Sequence, residues 1–436
     1  MRHLLKWPLM AVLALAPATA MAWAGDGAIN PIDTVWVMLC AALVLLMTPA
    51  LAVFYGGMVR SKNVLSTLMH SFFAISLVTV QWVVIGYSLA FGRGNTFIGG
   101  LEHVMLADVG AGVGPYSGTI PSSAFMIYQL MFAIITPALI SGAFAERMKF
   151  RAYVVFTLVW VTLVYDPVCH WVWSKGGWLG DLGALDFAGG TVVHINSAAA
   201  ALVVVLVLGR RIDHHAARPH NLGLTVLGTG LLWFGWFGFN AGSALAMNAQ
   251  AVNAFVVTHI AAATSAVAWA AFERMRMGRA SSLGFTSGAI AGLVAITPAC
   301  GFVGITGALA IGVGAGVLCN LGVLLRERLG YDDSLDVVGI HGVGGMWGAL
   351  AAAIFAEVAI GGKVGLVESL LNPGLEGDAA RVGIQALTIV ATIAYSMIAT
   401  YIIIRIIDKT IGCRVTKEEE EQGLDAAAHG EQGYTL

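Results

Sequence analysis

DFAGGTVVHINSAAAALVVVLVLG occupies residues 186–209, and Arg210 and Arg211 follow it directly. After Asp186 the run is apolar over the roughly 20 residues that an α-helix needs to cross a bilayer. His194 is the only ionisable side chain between Asp186 and Arg210. Ionisable groups are costly within a membrane and are functional candidates for that reason. The stretch therefore predicts a transmembrane helix that carries a functional histidine.

The rest of the chain repeats this apolar pattern. Of its 436 residues 58% are apolar and 11% are charged, whereas soluble domains carry about 25% charged residues. Eleven apolar segments have about the length of a membrane span. They cover residues 34–58, 70–91, 123–145, 151–173, 187–209, 222–246, 252–273, 283–300, 302–325, 336–357 and 383–407. The sequence thus predicts an all-α polytopic membrane protein with eleven transmembrane helices, and its net charge of -2 gives no indication of nucleic-acid binding.

The first residues have the organisation of a cleavable signal peptide. Arg2 and Lys6 precede a short apolar core, and small residues occupy the minus-one and minus-three positions for cleavage after Ala22 or Ala24. We therefore expect residues 1–24 to be removed, the mature N-terminus to be exported and the source to be a bacterium. The alternative is a retained twelfth helix, which the shortness of the apolar core disfavours.

The loops that would then face the cytoplasm hold most of the cations. Seventeen lysines and arginines lie in these loops or near the C-terminus: Arg60, Lys62, Arg147, Lys149, Arg151, Arg210, Arg211, Arg218, Arg274, Arg276, Arg279, Arg326, Arg328, Arg405, Lys409, Arg414 and Lys417. Four lie in the other loops: Arg93, Lys175, Lys363 and Arg381. Cytoplasmic loops carry the excess of cations in membrane proteins. We expect a transmembrane domain over residues 33–408 of a bacterial inner-membrane protein, and a soluble cytoplasmic tail over residues 409–436.

A second histidine has a related context. His341 lies about five residues into the tenth segment, after Asp336, and His194 lies about eight residues into the fifth. Because five segments separate them, their helices enter the membrane from opposite sides, as in an inverted-topology repeat. Two facing imidazoles can share one N–H···N bond and leave their outer nitrogens for a small polar solute. The alternative for a single such histidine is a packed side chain that bonds to a carbonyl group, and two at related positions disfavour it. A metal site is a further alternative, for which additional ligands at helical spacing are missing.

Aromatic and hydroxyl side chains at the predicted outer ends of the segments suggest a cation site. Trp173 could hold a cation over its ring face, and Ser243 could hydrogen-bond to it, which favours a cation rich in N–H groups over sodium or potassium. Phe132 and Phe239 would then close the pore. For most of the twelve tryptophans the alternative is packing at the membrane interface.

Four aspartates lie near the starts of the histidine segments. Asp186 can cap its helix by accepting backbone N–H groups, or it can attract a cation directly, and both possibilities stay open. Asp332, Asp333 and Asp336 are expected to form a solvated inner loop and a cap. The five cysteines have no spacing typical of a metal site or a disulfide, so neither is predicted.

Six long motifs follow one another along nearly the whole chain. They are FYGGMVRSKN (54–63), GAFAERMKF (142–150), DFAGGTVVHIN (186–196), GWFGFNAGS (235–243), GAIAGLVAITPACGFV (288–303) and DVVGIHGVGG (336–345). In this order they resemble the signature stretches of the Amt/Mep/Rh ammonium transporters, and specifically of the bacterial Amt branch.

The resemblance implies an eleven-helix fold, with a five-plus-five inverted-topology repeat and an eleventh helix, and a homotrimer with one pore per subunit. By motif, Phe132 and Phe239 match the stacked phenyl gate, and His194 and His341 the twin pore histidines. The outer ammonium site corresponds to Trp173, Ser243, Phe132 and Tyr128, where the family often has Phe at position 128, and Asp186 is the acidic residue below that site. The tail resembles the segment through which family members couple their subunits and receive a trimeric PII signalling protein.

The implied function is ammonium transport without a cofactor or a metal. Ammonium would lose its proton at the outer site, and ammonia would cross the pore past the two histidines. If the proton follows along the histidine pair the process is electrogenic, and if it returns the protein is an electroneutral NH3 channel. An ammonium sensor that acts through the tail and a channel for urea or water are also possible. An enzyme is not expected, since no nucleophile, metal cluster or cofactor loop is recognisable.

Overall fold

The computed structural model describes residues 29–212, 218–372 and 379–434, so the predicted signal peptide lies outside the described residues. In this part of the chain ten helices are long and apolar enough to cross a membrane, and one further apolar helix is shorter. The helices are α1 Pro31–Met58, α2 Ser61–Phe91, α3 Ser122–Ser141, α4 Phe150–Asp181, α5 Gly190–Leu208, α6 Leu222–Ala244, α7 Ala249–Met277, α8 Ser282–Ile296, α9 Ile305–Leu329, α10 Val338–Phe355 and α11 Ala379–Thr410. The predicted all-α membrane fold is confirmed.

The helices run up and down between two ends of one bundle. We call the end that contains Met58, Leu208 and Thr410 the tail end, and the opposite end, with Trp173 and Gly190, the far end. Short helices at Val358–Gly361 and Leu366–Leu371 lie between α10 and α11. Because side chains in lipid gain no hydrophobic energy by packing together, the close approach of backbones is what holds such a bundle.

The eighth apolar segment forms a shorter helix than the sequence predicts. It ends at Ile296, near Pro298, and the residue before a proline disfavours the helical conformation. The Pro298 carbonyl accepts a hydrogen bond from the Phe187 N–H at 3.2 Å. A Cβ at Gly190 would lie 2.5 Å from the Pro298 ring, so only glycine permits this approach. At fifteen residues α8 is too short to be counted as a span on length, and the number of eleven transmembrane helices stays a prediction.

The helices that contain His194 and His341 both begin with a π-helical turn, as expected for equivalent helices of the five-plus-five repeat. α5 begins with the turn Gly190–Ile195 and α10 with the turn Val338–Gly342, and each contains one of the two histidines. The Asp333 carboxylate accepts a hydrogen bond from the Val338 N–H at 2.7 Å at the start of its turn, as Asp186 does at the start of the other. Asp333 precedes His341 by the same eight positions that separate Asp186 from His194. Asp333, rather than Asp336, is therefore the counterpart of Asp186.

The loop before α10 is not solvated, and that expectation was wrong. Asp332 and Asp333 are buried, with 7% and 0% of their surface exposed. Asp332 pairs with Arg211, and Asp336 pairs with Arg326 at 2.7 Å. Buried carboxylates need such partners because an unpaired charge away from water is costly.

A network of buried ions closes the tail end. Arg211 donates to Glu146 at 2.7 Å and to Asp332 at 2.8 Å, and Arg60 pairs with Glu146 at 3.0 Å. Burial raises the pKa of the Asp332 carboxyl, but the hydrogen bonds and charge of Arg211 outweigh burial and hold that pKa below its usual range. A carboxylate whose pKa is lowered by folding stabilises the protein above its unfolded pKa, and this contribution is lost as the pH falls.

We expect Asp332→Asn to lower the unfolding temperature near neutral pH, because the amide cannot replace the charge opposite Arg211. The difference from the unsubstituted protein should shrink as the pH falls below about 4, where the unfolded carboxyl takes up its proton. Thermal unfolding of the detergent-solubilised protein as a function of pH measures this. A difference that is the same at every pH would contradict the assignment.

The C-terminal tail folds back onto the tail end. The Lys149 N–H donates to the Cys413 carbonyl at 2.8 Å. Further along, the Asp425 carboxylate accepts hydrogen bonds from the backbone N–H groups of Leu65 at 3.1 Å and Ser66 at 2.8 Å, at the first turns of α2. The charged tail is thus a packed segment rather than a freely solvated one.

Candidate functional site

A vestibule opens at the far end of the bundle. This cavity of about 160 Å³ is lined by Phe91, Tyr116, Phe125, Gln129, Phe132, Trp173, Phe187, Ser243 and Leu245. Three of the four residues predicted for the outer site, Trp173, Ser243 and Phe132, are therefore together on its wall. The cavity presents aromatic ring faces together with the polar side chains of Ser243, Gln129 and Tyr116.

The orientation of Trp173 is set by its neighbours. Its indole N–H donates to the Asp186 carbonyl at 2.9 Å. Its ring meets the Phe132 ring edge to face, with centroids 5.7 Å apart and an angle of 84°. The indole is thus fixed by a hydrogen bond to the residue that caps α5. A shift of Asp186 would therefore move the Trp173 ring in the vestibule wall.

Tyr128 lies behind the vestibule wall. It is fully buried, and its hydroxyl lies 2.9 Å from the carbonyl oxygens of Gly238 and Phe239 and 3.2 Å from the Ser243 hydroxyl. The Ser243 hydroxyl in turn donates to the Phe239 carbonyl at 2.9 Å. Tyr128 therefore holds the end of α6 and Ser243 in place. It is not one of the described residues that line the cavity.

Two phenyl rings separate the vestibule from the interior. Phe132 and Phe239 are buried, with ring centroids 4.4 Å apart and an angle of 45°. Phe132 faces the vestibule, and Phe239 lines the next cavity. The two rings thus form a closed apolar barrier between the two spaces.

Beyond the barrier is a narrow lumen of only about 10 Å³. Its lining is apolar except for His194, His341 and the indole of Trp236; the other residues are Met47, Leu51, Phe54, Ile135, Leu139, Val193, Leu232, Phe239 and Ile290. Such a space offers an ion almost no replacement for its water shell.

His194 and His341 meet in this lumen. Their Nδ1 atoms are 3.1 Å apart, and their rings are nearly parallel, with centroids 5.1 Å apart. The His194 ring also stacks on Trp236, with centroids 5.5 Å apart. A hydrogen bond between two Nδ1 atoms requires that one ring carries the proton there and that the other accepts it. If both rings are neutral, one Nε2 is then an acceptor and the other a donor.

Asp186 sits at the start of α5 as a helix cap. One carboxylate oxygen accepts from Gly189 at 2.9 Å and Gly190 at 2.6 Å, and the other from Thr191 at 2.9 Å and Val192 at 3.1 Å. Of the two roles left open by the sequence, the geometry is that of the cap. The Asp186 carboxylate is thus the hydrogen-bond acceptor for all four N–H groups at the start of this π-turn.

Six of the nine residues that line the vestibule were missed in the site predicted from the sequence: Phe91, Tyr116, Phe125, Gln129, Phe187 and Leu245. Phe125 and Tyr116 stack, with ring centroids 5.5 Å apart and an angle of 13°. The amide oxygen of Gln129 is buried and has no hydrogen-bond partner among the described residues. Phe125 lies on the same helical face as Phe132, seven residues earlier, and this spacing could have predicted its place in the vestibule. No pattern in the sequence indicates Gln129 or the loop residue Tyr116.

The arrangement separates two environments. The vestibule has aromatic faces and a hydroxyl, which suit a small cation with N–H groups. The lumen is apolar and contains a hydrogen-bonded pair of imidazoles, which suits a small neutral solute that can both donate and accept. A molecule that can exist as a cation and as a neutral species fits both.

Comparison with known proteins agrees with this chemistry. Residues 35–434 match the model of the Ammonium Transporter Family. An ammonium transporter of Bacillus subtilis is 52% identical over 404 residues, which cover 92% of this chain and 98% of that protein. The crystal structure of Saccharomyces cerevisiae Mep2 superposes with a TM-score of 0.84 at 37% identity, over 92% of this chain and 91% of that one.

A structure described as a sensor Amt protein is also similar, with a TM-score of 0.82 at 30% identity over 91% of this chain and 98% of that one. The family match begins within α1, at residue 35, and runs through α11 and the packed tail. The relatives are transporters rather than enzymes. This chain therefore belongs to the Ammonium Transporter Family and is a multi-pass membrane protein that transports ammonium.

Proposed function

We propose that ammonium binds in the vestibule, loses its proton there and crosses the lumen as ammonia, while the proton passes along the histidine pair. The observation that carries this proposal is the 3.1 Å contact between the Nδ1 atoms of His194 and His341 inside an apolar lumen. Neither ring needs to be charged at rest for this contact to form.

The vestibule is the binding step. Ammonium would lie over the Trp173 ring face and donate to the Ser243 hydroxyl oxygen, while Phe132 forms the floor. Tyr128 would contribute by holding Ser243, and the amide oxygen of Gln129 is a further acceptor for an N–H group. A cation–π contact of this kind contributes about 0.5–2 kcal/mol.

The phenyl barrier and the lumen select against charge. Moving an ion from water into an apolar interior costs several kcal/mol even after relaxation. Ammonia carries no net charge and can pass between Phe132 and Phe239 when the rings separate. Ammonium must therefore lose its proton before its nitrogen can enter the lumen.

The histidine pair offers the proton a separate route. Water that enters between Phe132 and Phe239 when the rings separate would carry the proton from ammonium to the free Nε2 of one ring. That ring then passes the proton on its Nδ1 to the Nδ1 of the other ring, which releases the proton on its Nε2. Both rings end in the opposite tautomer, and a second rearrangement resets them. Net transfer is then ammonium, and each charge moved is worth about 2.3 kcal/mol per 100 mV of membrane potential.

Trp173→Leu should raise the ammonium concentration at half-maximal uptake by about fivefold, because the cation–π contact is lost. Uptake into liposomes that contain the purified protein measures this value. The control is Trp178→Leu, which removes an indole that contacts Trp171 at the same end but lies outside the vestibule. An unchanged half-saturation value for Trp173→Leu would place the binding step elsewhere.

Two rival functions remain to be separated. An electroneutral NH3 channel would move nitrogen without charge, so uptake would proceed without a current. An ammonium sensor is favoured by one observation, the likeness to a protein described as a sensor. In a sensor, binding would change the tail while uptake stayed slow, and the liposome uptake rate tells these apart.

The same resemblance supports proposals about the cellular setting. The protein would lie in the inner membrane of a bacterium, with a cleaved signal peptide, the far end outside and the tail in the cytoplasm. It would form a homotrimer and bind a trimeric PII signalling protein at the tail end, where the packed tail forms part of the surface. Native mass spectrometry with and without a PII protein measures both; a mass of one or two subunits would contradict the trimer.

A further inference from the structure

α11 belongs to neither half of the five-plus-five repeat, yet it contacts one of the two histidine segments at both ends. Gln385, fully buried on α11, accepts a hydrogen bond from the Leu185 N–H at 2.8 Å. Its amide nitrogen donates to the Leu185 carbonyl at 2.8 Å and to the Ala349 carbonyl of α10 at 2.7 Å. One side chain therefore satisfies both backbone groups of the residue before Asp186.

The second contact lies on the other side of the π-turn. Ser396, also fully buried on α11, donates to the Asn196 carbonyl at 2.9 Å. Leu185 and Asn196 enclose the cap residue Asp186, the turn Gly190–Ile195 and His194. Gln385 and Ser396 are separated by the same number of positions along α11 as Leu185 and Asn196 are along the braced segment.

A π-turn needs such support more than an α-helix does. It holds one more residue per turn than its neighbours, so its hydrogen bonds do not continue the α-helical ladder on either side. A shift by one position would rotate a side chain by about 100° and move it about 1.5 Å along the axis. The Nδ1 contact between His194 and His341 does not tolerate a shift of that size, since hydrogen bonds weaken steeply with distance and angle.

The two ends of the braced segment reach different parts of the pathway. Leu185 precedes Asp186, whose carbonyl fixes the Trp173 indole in the vestibule wall. Asn196 follows His194 by two residues and lies where the π-turn passes into the α-helix Asn196–Leu208. In the His341 segment, Gln385 of α11 contacts Ala349. This residue lies eight positions beyond His341.

We propose that α11 is a brace that sets the register of the His194 segment, and that Gln385 and Ser396 are its positioning residues. Gln385 positions the Asp186 carbonyl and through it Trp173, so it controls the affinity of the vestibule for ammonium. Ser396 positions His194 and so controls the rate of transfer. The inference rests on the proposed function of the vestibule and the histidine pair.

The test compares uptake kinetics of four variants in liposomes. Gln385→Met, which keeps the length of the side chain and removes its hydrogen bonds, should raise the half-saturation concentration about fivefold with a maximal rate within about twofold. Ser396→Ala should lower the maximal rate about fivefold with half-saturation within about twofold. Ser396→Thr keeps the hydroxyl and should restore the rate.

The matched control is Thr392→Val on the same helix. Thr392 is fully buried, and its hydroxyl has no hydrogen-bond partner among the described residues, so this variant should transport like the unsubstituted protein. If Gln385→Met and Ser396→Ala alter both kinetic constants in parallel with a loss of folded protein, α11 is only a structural support and the inference is wrong. Unchanged kinetics in both would also overturn it. Failure of the proposed function would be distinct, because the unsubstituted protein would then lack saturable ammonium uptake.

Discussion

Replacing His194 with alanine should reduce the ammonium-dependent current by about a hundredfold, the lower range of what a positioned proton-transfer group contributes to a rate. Alanine removes the Nδ1 contact with His341 and the aromatic stack on Trp236. The proton then has no route through the lumen, whereas ammonia can still pass. The current should therefore fall much more than the uptake of nitrogen measured in the same liposomes.

The control for this substitution is His259→Ala. His259 is exposed on α7 and its ring contacts that of Trp233 at a tilt, with ring centroids 5.3 Å apart and an angle of 37°. It should leave both current and uptake unchanged. A His194→Ala protein that carries the full ammonium current would remove the histidine pair from the mechanism.

Asp186→Ala should cause the largest loss of stability. Four backbone N–H groups lose their acceptor at once, within a part of the bundle that excludes water. Each buried donor left without a partner costs about 1–3 kcal/mol, so the total is at least about 4 kcal/mol. We expect little folded protein after extraction into detergent, measured by gel filtration and by the unfolding temperature.

Two comparisons sharpen this result. Asp181→Ala changes an exposed carboxylate at the same end and should leave the unfolding temperature unchanged. Asp186→Asn retains one acceptor oxygen but places an NH2 group against donors, so its stability should lie between those of the unsubstituted protein and the alanine variant. An Asp186→Ala protein as stable as Asp181→Ala would mean that other groups cap this turn.

The sequence predicts the broad architecture because it depends on long apolar runs and on their number. It also places His194 and His341 in opposed helices, since both stand alone in apolar surroundings. The structure brings these two side chains together at 3.1 Å. Phe132 and Phe239 likewise meet, at 4.4 Å between ring centroids.

Other features depend on side-chain direction and on the local winding of the helix, which spacing does not reveal. Tyr128 has the helical spacing of Phe132, but its hydroxyl needs a partner and finds it among the carbonyl groups at the end of α6, away from the vestibule. Asp336 precedes a motif similar to that of Asp186, yet Asp333 is the residue that meets the first N–H of its π-turn. The π-turns themselves leave no mark in the hydrophobic pattern.

Polar contacts between residues far apart in the sequence could not be predicted either. Arg211, Glu146 and Asp332 are far apart in sequence, and each alone looks like a loop charge on a solvated face. The charged tail looks solvated for the same reason, although Asp425 binds the first turns of α2. Charges that are paired with one another cannot be told from charges paired with water by composition alone.

The most direct test of electrogenic transport is the transient current from liposomes that contain the unsubstituted protein, adsorbed on a supported membrane and exposed to a jump in ammonium chloride. Jumps in sodium and potassium chloride are the controls. We predict a saturable current for ammonium and none for the other two cations, because net charge would move only with a substrate that can give up a proton. Folded protein that takes up ammonium without any current would contradict proton passage along His194 and His341.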